Sequence, residues 1–158
     1  VSLSVFVAVA AGTLLADLLT KYWVFDWLEA RRSVALMPGL NFHLVHNMGA
    51  LFGMGQGMKT FFAAFALVAA VGITWAAATM GRRSKLVNVG LGLLLGGAVG
   101  NLYDRIFHPG VRDFIDMYIG DWHWYTYNIA DVAICAGAAA IVLHSLITPD
   151  PKTQAPKP

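Results

Sequence analysis

Residues 61–80 carry no ionisable side chain, and about 20 apolar residues are what a helix needs to cross the hydrocarbon core of a bilayer. Three more stretches are nearly as apolar. Residues 1–19 are apolar or small apart from Asp17, and residues 86–107 are apolar through Gly100 apart from Asn88. Residues 129–147 hold only Asp131 near the start and His144 near the end. Helices satisfy their own backbone groups in lipid, so four membrane helices are expected. Composition agrees, with 58% hydrophobic and 13% charged residues in 158, where soluble domains carry about 25% charged. So little charge cannot clothe a soluble domain, and a chain this apolar does not stay disordered. A single cysteine, Cys135, excludes an internal disulfide framework and a cysteine metal cluster. A net charge of +2 gives no sign of a nucleic-acid partner.

The expected helices span about 1–21, 61–80, 86–107 and 129–147. The first is read as a retained helix rather than a signal peptide. It lacks a basic start, and Asp17 to Lys21 stand where a small-residue cleavage site belongs. Four spans put both termini on one side. Basic residues divide almost evenly between the sides, but Arg82, Arg83 and Lys85 crowd one very short connection, which favours a cytoplasmic position for it and for the termini. Eight of the nine acids, and nine of the ten Trp and Tyr residues, then fall at the opposite, outer side or the helix ends facing it. In the first outer loop, Leu40 to Leu44 alternates with period two after a Pro38-Gly39 turn signal, as a strand does. The second outer loop, 107–127, reads as mixed and irregular. The expected fold class is an all-α membrane protein of four transmembrane helices with a small extracytoplasmic β platform in the first outer loop. Residues 148–158 read as a disordered cytoplasmic tail.

Ionisable groups inside a membrane are expensive and mark function by default. Here they share a depth. Asp17 and Lys21 lie one turn apart at the outer end of the first helix, and Asn101, Asp104 and Arg105 share a face at the outer end of the third. Asn128 and Asp131 open the fourth helix, and Asn47 lies in the loop before the second. Up-and-down topology brings all of them to one rim. The plainer reading makes Asp17–Lys21 and Asp104–Arg105 ion pairs that seat the helices, and gives Asp131 to the helix dipole.

Other chemistries find little support. Only Ser33 of five serines falls on the outer side, and the five histidines are dispersed without H-E-x-x-H. His43 and His46 fit surface or structural roles, and Cys135, among Ala and Gly, reads as a small packing residue. Gly92, Gly96 and Gly100 recur every fourth residue, a close-packing face that makes the third helix central. Carboxylates remain. Two held close together share one proton, which supplies a general base and a general acid at the same pH. A proton-coupled transporter would spread its ionisable groups through the bilayer depth, and an assembly subunit would need only the glycine face. Metal and cofactor are expected to be absent.

Five ordered blocks carry a resemblance. Asp17-Leu18-Leu19-Thr20-Lys21 matches D-x-x-T-K, and Asn47-Met48-Gly49-Ala50-Leu51-Phe52 matches N-x-G-x-x-F. Asn101 to Arg105 matches N-x-x-D-R, Val111 to Phe114 matches V-x-D-F, and Asn128 to Asp131 matches N-x-A-D. With these blocks the chain resembles the lipoprotein signal peptidases (signal peptidase II), four-helix aspartyl endopeptidases of the bacterial inner membrane. Tyr127 stands where the family usually has Phe.

The resemblance implies a single peptidase domain over 1–147 with Asp113 and Asp131 as the catalytic dyad. Asp116 and Asp121 rival Asp113 by spacing, and only the V-x-D-F block selects between them. Asn47, Gly49, Asn101, Asp104, Arg105 and Asn128 would orient the dyad and the substrate backbone, with Asp17 and Lys21 holding the geometry. Phe114 would border a lipid groove, and residues 38–56 would clamp the peptide. The implied substrates are diacylglyceryl-modified prolipoproteins, cut just before the lipidated cysteine by a monomer. The site would lie among membrane lipids at the outer-leaflet rim.

Overall fold

The third apolar stretch forms the axis of the molecule. In the computed structural model, which describes residues 3–49, 55, 57–79 and 84–148, the four stretches are helices α1 (Leu3–Leu28), α2 (Lys59–Thr79), α3 (Lys85–Phe107) and α4 (Ile129–Ile147). Each is long and apolar enough to span a membrane, and α3 is by far the most buried of the four. Its glycines explain why. A Cβ at Gly92 would stand 2.9 Å from the Phe6 carbonyl, and one at Gly96 would stand 2.6 Å from the Thr13 side chain, so this face admits α1 only without side chains. Gly90 and Gly97 do the same for α4, against Ile141 and the Ala130 carbonyl, and Gly137 of α4 faces the Gly90 carbonyl in return. Small residues let apolar helices gain dispersion contact where lipid offers no hydrophobic driving force between them. Helix α2 packs on the remaining flank of α3 and leaves Phe65, Val68, Val71 and Trp75 largely exposed.

Helix α1 continues seven residues beyond the expected end at 21. Tyr22 to Leu28 contains no breaker, and the chain turns only at Glu29–Arg32, where Arg32 takes φ 64°. Ser84 caps α3 by accepting from the Val87 N–H at 3.4 Å, and Asn128 caps α4.

Beyond the ends of α1 and α3 lies a four-stranded antiparallel sheet in the order β1 (Ser33–Met37), β2 (Leu40–Asn47), β3 (Val111–Ile119) and β4 (Trp122–His123). Gly39 (φ 86°) turns the first hairpin and Gly120 (φ 59°) the second. The sheet therefore draws on both loops, which corrects the expectation of a platform in the first loop alone. The second loop, expected to be irregular, supplies the nine-residue β3 and pairs Asn47 with Val111 and Val45 with Asp113. Its alternation is hidden because Val111 through Phe114 are all buried, so polar side chains face partners rather than water. Of the expected clamp at 38–56 and the N-x-G-x-x-F block, residues 50–54 and 56 lie outside the described residues. The expected tail lies outside them beyond Thr148.

Candidate active site

Lys21 is the hub of the rim. It is fully buried, as are Asp17 and Asp104, and its ammonium lies 2.8 Å from Asp17 Oδ2 and 3.1 Å from Asp104 Oδ2. It also donates to Asn101 Oδ1 at 3.1 Å. The second oxygen of Asp17 accepts the Ala130 N–H at 2.9 Å, which ties α1 to the first turn of α4. Buried charge is tolerated only when partners surround it, and here each carboxylate oxygen has one.

Asp104 does not pair with Arg105. Side chains at adjacent helix positions diverge by about 100°, and the partner comes instead from the next strand. Arg112 donates to Asp104 Oδ1 from Nε at 3.1 Å and from NH2 at 2.8 Å, and its main-chain N–H donates to Oδ2 at 2.9 Å. This three-bond clasp fixes the start of β3 on α3. Arg105 turns the other way, donating to the Asn101 carbonyl and the Gly49 carbonyl, each at 3.3 Å, with its guanidinium over the Phe62 ring.

The clasp delivers Asp113, one residue on, to a buried position facing Asp131. Asn128 connects the two. Its amide donates to Asp113 Oδ1 at 2.6 Å, its main-chain N–H donates to Asp131 Oδ2 at 3.2 Å, and its Oδ1 accepts the Asp131 N–H at 3.0 Å. This is a capping box, so the dipole role considered for Asp131 is present in the geometry alongside its place at the site. Asn101 donates to Asp131 Oδ1 at 2.8 Å, and Asn47 donates to Asp113 Oδ2 at 3.1 Å. Gly49, buried, returns its N–H to Asn47 Oδ1 at 3.0 Å and so fixes that amide.

Both aspartates line a cavity of about 470 Å³ with Asn47, Asn101, Arg105 and Tyr125 at its polar end. From there it runs down between α2 and α4 along Phe61, Phe65, Ala69 and Ile73. Burial, and second to it the charge of Asp131, push the Asp113 carboxyl up to about 7, against the opposing bonds from Asn128 and Asn47. The two carboxyls therefore sense one another. Among the described residues no group of three His, Cys, Asp or Glu side chains is arranged to hold a metal ion.

Not every expected residue reaches this cavity. Phe114, expected to border the groove, is 2% exposed and meets Phe42 edge-on at 5.4 Å. Successive strand residues point to opposite faces, so a strand that aims Asp113 at the cavity aims Phe114 away. Asp116, three residues on, accepts from Asn41 at 3.1 Å and lies 2.8 Å from His123 Nδ1, while Asp121 is exposed in the β3–β4 turn. Neither rival shares the cavity. Cys135 is exposed rather than packed, because α4 meets α3 through Ala130, Ala133 and Gly137 on the opposite face. His46 packs edge-on against Phe25. Arg112, Tyr125 and the α2 phenylalanines also stand at the site, and no fixed motif position marks them in the sequence. Its adjacency to Asp113 is the only sequence signal for Arg112, and the aromatic cluster the only one for Tyr125.

Such a bundle, with paired carboxylates at one end of its spans, is that of a multi-pass membrane enzyme. Two solved bacterial membrane enzymes, determined in meso at 2.3 Å and 1.9 Å resolution, share the fold. The first has a TM-score of 0.81 at 26% identity, covering 97% of this chain and 93% of that one. The second has 0.80 at 27% identity, covering 91% and 94%. The family described as Signal peptidase (SPase) II matches residues 9–147. A lipoprotein signal peptidase of Escherichia coli O1:K1 / APEC is 42% identical over 149 residues, covering 89% of this chain and 88% of the relative. One from Alteromonas mediterranea is 37% identical over 153 residues, covering 94% and 84%. The chain belongs to the signal peptidase II family and is a membrane-embedded peptidase, hence a hydrolase.

Proposed function

We propose that this chain is an aspartyl endopeptidase that removes the signal peptide from diacylglyceryl-modified prolipoproteins, cleaving just before the lipidated cysteine. The observation that carries the reading is Asn128, which binds Asp113 from β3 and Asp131 from α4 at once beside a single cavity. Charge balance supports a shared proton. Four carboxylates (Asp17, Asp104, Asp113, Asp131) gather with three cations (Lys21, Arg105, Arg112), so one proton on the dyad makes the group neutral. An Asp113 carboxyl raised to about 7 is suited to hold or release that proton near neutrality.

The ionised member takes a proton from water, and the water oxygen attacks the scissile carbonyl carbon. The protonated member gives its proton to the carbonyl oxygen, which develops negative charge as the tetrahedral intermediate forms. The C–N bond then breaks, and a proton passes to the leaving amine of the lipidated cysteine while the new carboxylate leaves with the signal peptide. The proton belongs to the pair throughout. Arg105 and the amides of Asn47 and Asn101 orient the dyad and the substrate backbone, and Asp17, Lys21 and Asp104 hold the helices that carry them.

The same reading makes residues 1–147 one peptidase domain, active as a monomer in the bacterial inner membrane. The termini face the cytoplasm, and the site lies at the outer-leaflet rim. Incubation of purified protein with a diacylglyceryl-modified precursor and with its unlipidated form tests it. Mass spectrometry should find a new amino terminus at the lipidated cysteine, and equal cleavage of the unlipidated form contradicts the lipid-dependent reading.

A further inference from the structure

Asp116 lies outside the cavity, yet it is buried and joins three strands. Its Oδ2 accepts the amide of Asn41 from β2 at 3.1 Å, and its Oδ1 lies 2.8 Å from Nδ1 of His123 in β4. The His123 ring stacks on Tyr118 with centroids 5.1 Å apart, which fixes the face it offers to Asp116.

The chain that returns from the turn at Gly120 runs antiparallel to β3 until it reaches Asn128. Tyr118 pairs with His123, the Trp124 N–H donates to the Met117 carbonyl at 2.8 Å, and Ile115 pairs with Tyr127. Between the pairs at 118 and 115, β3 has two residues (116 and 117) and the returning segment three (124 to 126). The extra residue is a bulge, which interrupts the backbone ladder. Side chains bond across at both ends of the interruption, His123 to Asp116 on one side and Asn128 to Asp113 on the other. Tyr127 adds a hydroxyl bond to Met117 Sδ at 2.8 Å, but a thioether is a weak acceptor. A slip of one residue would carry Asn128 past Asp113. We propose that Asp116 and His123 are positioning residues of the peptidase, whose contact holds the register of the returning segment and so places Asn128 against Asp113. This role rests on the dyad reading above.

The test is cleavage of a diacylglyceryl-modified precursor, with rates followed across pH. His123→Ala removes the rung at a half-exposed position, and should lower kcat about tenfold with KM within about twofold, the pattern of an interaction realised in the transition state. His123→Asn keeps an amide donor near the position of Nδ1 and should restore kcat to within about threefold. The alkaline limb of the rate profile should lie higher in His123→Ala than in His123→Asn. Both variants lack the imidazole, so its own titration drops out of the comparison. The Asn128 bond that holds the Asp113 carboxyl down is slackened only in His123→Ala. Asp131, Lys21 and Arg105, which also act on Asp113, are unaltered in both. A fold that is simply weaker leaves the limb in place. Added to Asn128→Ser, His123→Ala should cost less than about twofold more, because the residue it acts through is already gone. Unchanged kcat in His123→Ala, the same alkaline limb in both His123 variants, or a fully additive loss on Asn128→Ser overturns the role. The unaltered enzyme is assayed in parallel. Cleavage that His123→Ala matches overturns this role alone, whereas no cleavage by the unaltered enzyme overturns the function and the role with it.

Discussion

The side-chain amide of Asn128 reaches Asp113 Oδ1 at 2.6 Å, the shortest link between α4 and the sheet at this site. The same residue begins α4 as its N-cap, so one side chain sets where the helix starts and where the strand carboxyl points. The two roles can be separated. Ser at position 128 keeps an oxygen for the cap but removes the amide donor from the buried Asp113 Oδ1 and Asn101 Oδ1, so Asn128→Ser should unfold cooperatively with a loss of about 1–3 kcal/mol. Its cleavage rate should nonetheless fall about a hundredfold, the scale for losing one donor to a reacting group. Thermal melts with precursor kinetics check this, and an unchanged rate contradicts a positioning role for Asn128.

Ionisation of the dyad should appear in the pH dependence. The folded protein holds the Asp113 proton to about 7, whereas an unfolded aspartate releases it near about 3.9. Between those values the folded state binds more protons than the unfolded state, so stability declines as pH rises through the window and levels off above it. Asp113→Asn removes that slope and should gain on the unaltered protein by up to a few kcal/mol at pH 8 relative to pH 4. Cleavage should fall on the alkaline side with an apparent pKa near 7, where the shared proton is lost. Denaturation curves and rates from pH 4 to 9 measure both effects.

The Lys21 side chain is fully buried. Lys21→Met leaves Asp17 and Asp104 facing one another without the cation between them, a loss of about 3–5 kcal/mol by the measure of other broken buried pairs. Combining Lys21→Met with Asp17→Asn removes one stranded charge and should recover part of that loss. Denaturation midpoints in detergent test the series, and a Lys21→Met protein as stable as the original contradicts the hub role.

Much of this was legible in the sequence because membrane helices are local. Asp17 and Lys21 meet because they are one turn apart on one helix, and the α3 glycines announce close neighbours because nothing else explains their spacing in an apolar span. What stayed hidden depends on packing between distant segments. Asp104 has Arg105 beside it in sequence and Arg112 beside it in space, and only the return of β3 onto α3 decides between them. Phe114 follows Asp113 in the same motif block, yet strand geometry sends it to the opposite face. Cys135 sits among small residues that would suit a helix contact, and the face that α4 buries lies elsewhere. Strand β3 is not legible in the sequence because its polar residues face buried partners, which removes the alternation that marks a strand.

The central claim is that Asp113 and Asp131 together activate the water that cuts the precursor. The direct measurement is the cleavage rate of one diacylglyceryl-modified precursor by the unaltered protein, Asp113→Asn and Asp131→Asn, each shown to be folded by its melting transition. A residue that acts as part of a coupled unit costs about 10⁴-fold or more when removed, so both variants should lose cleavage by about that factor while still melting cooperatively. Turnover within tenfold of the unaltered rate in either folded variant contradicts the dyad.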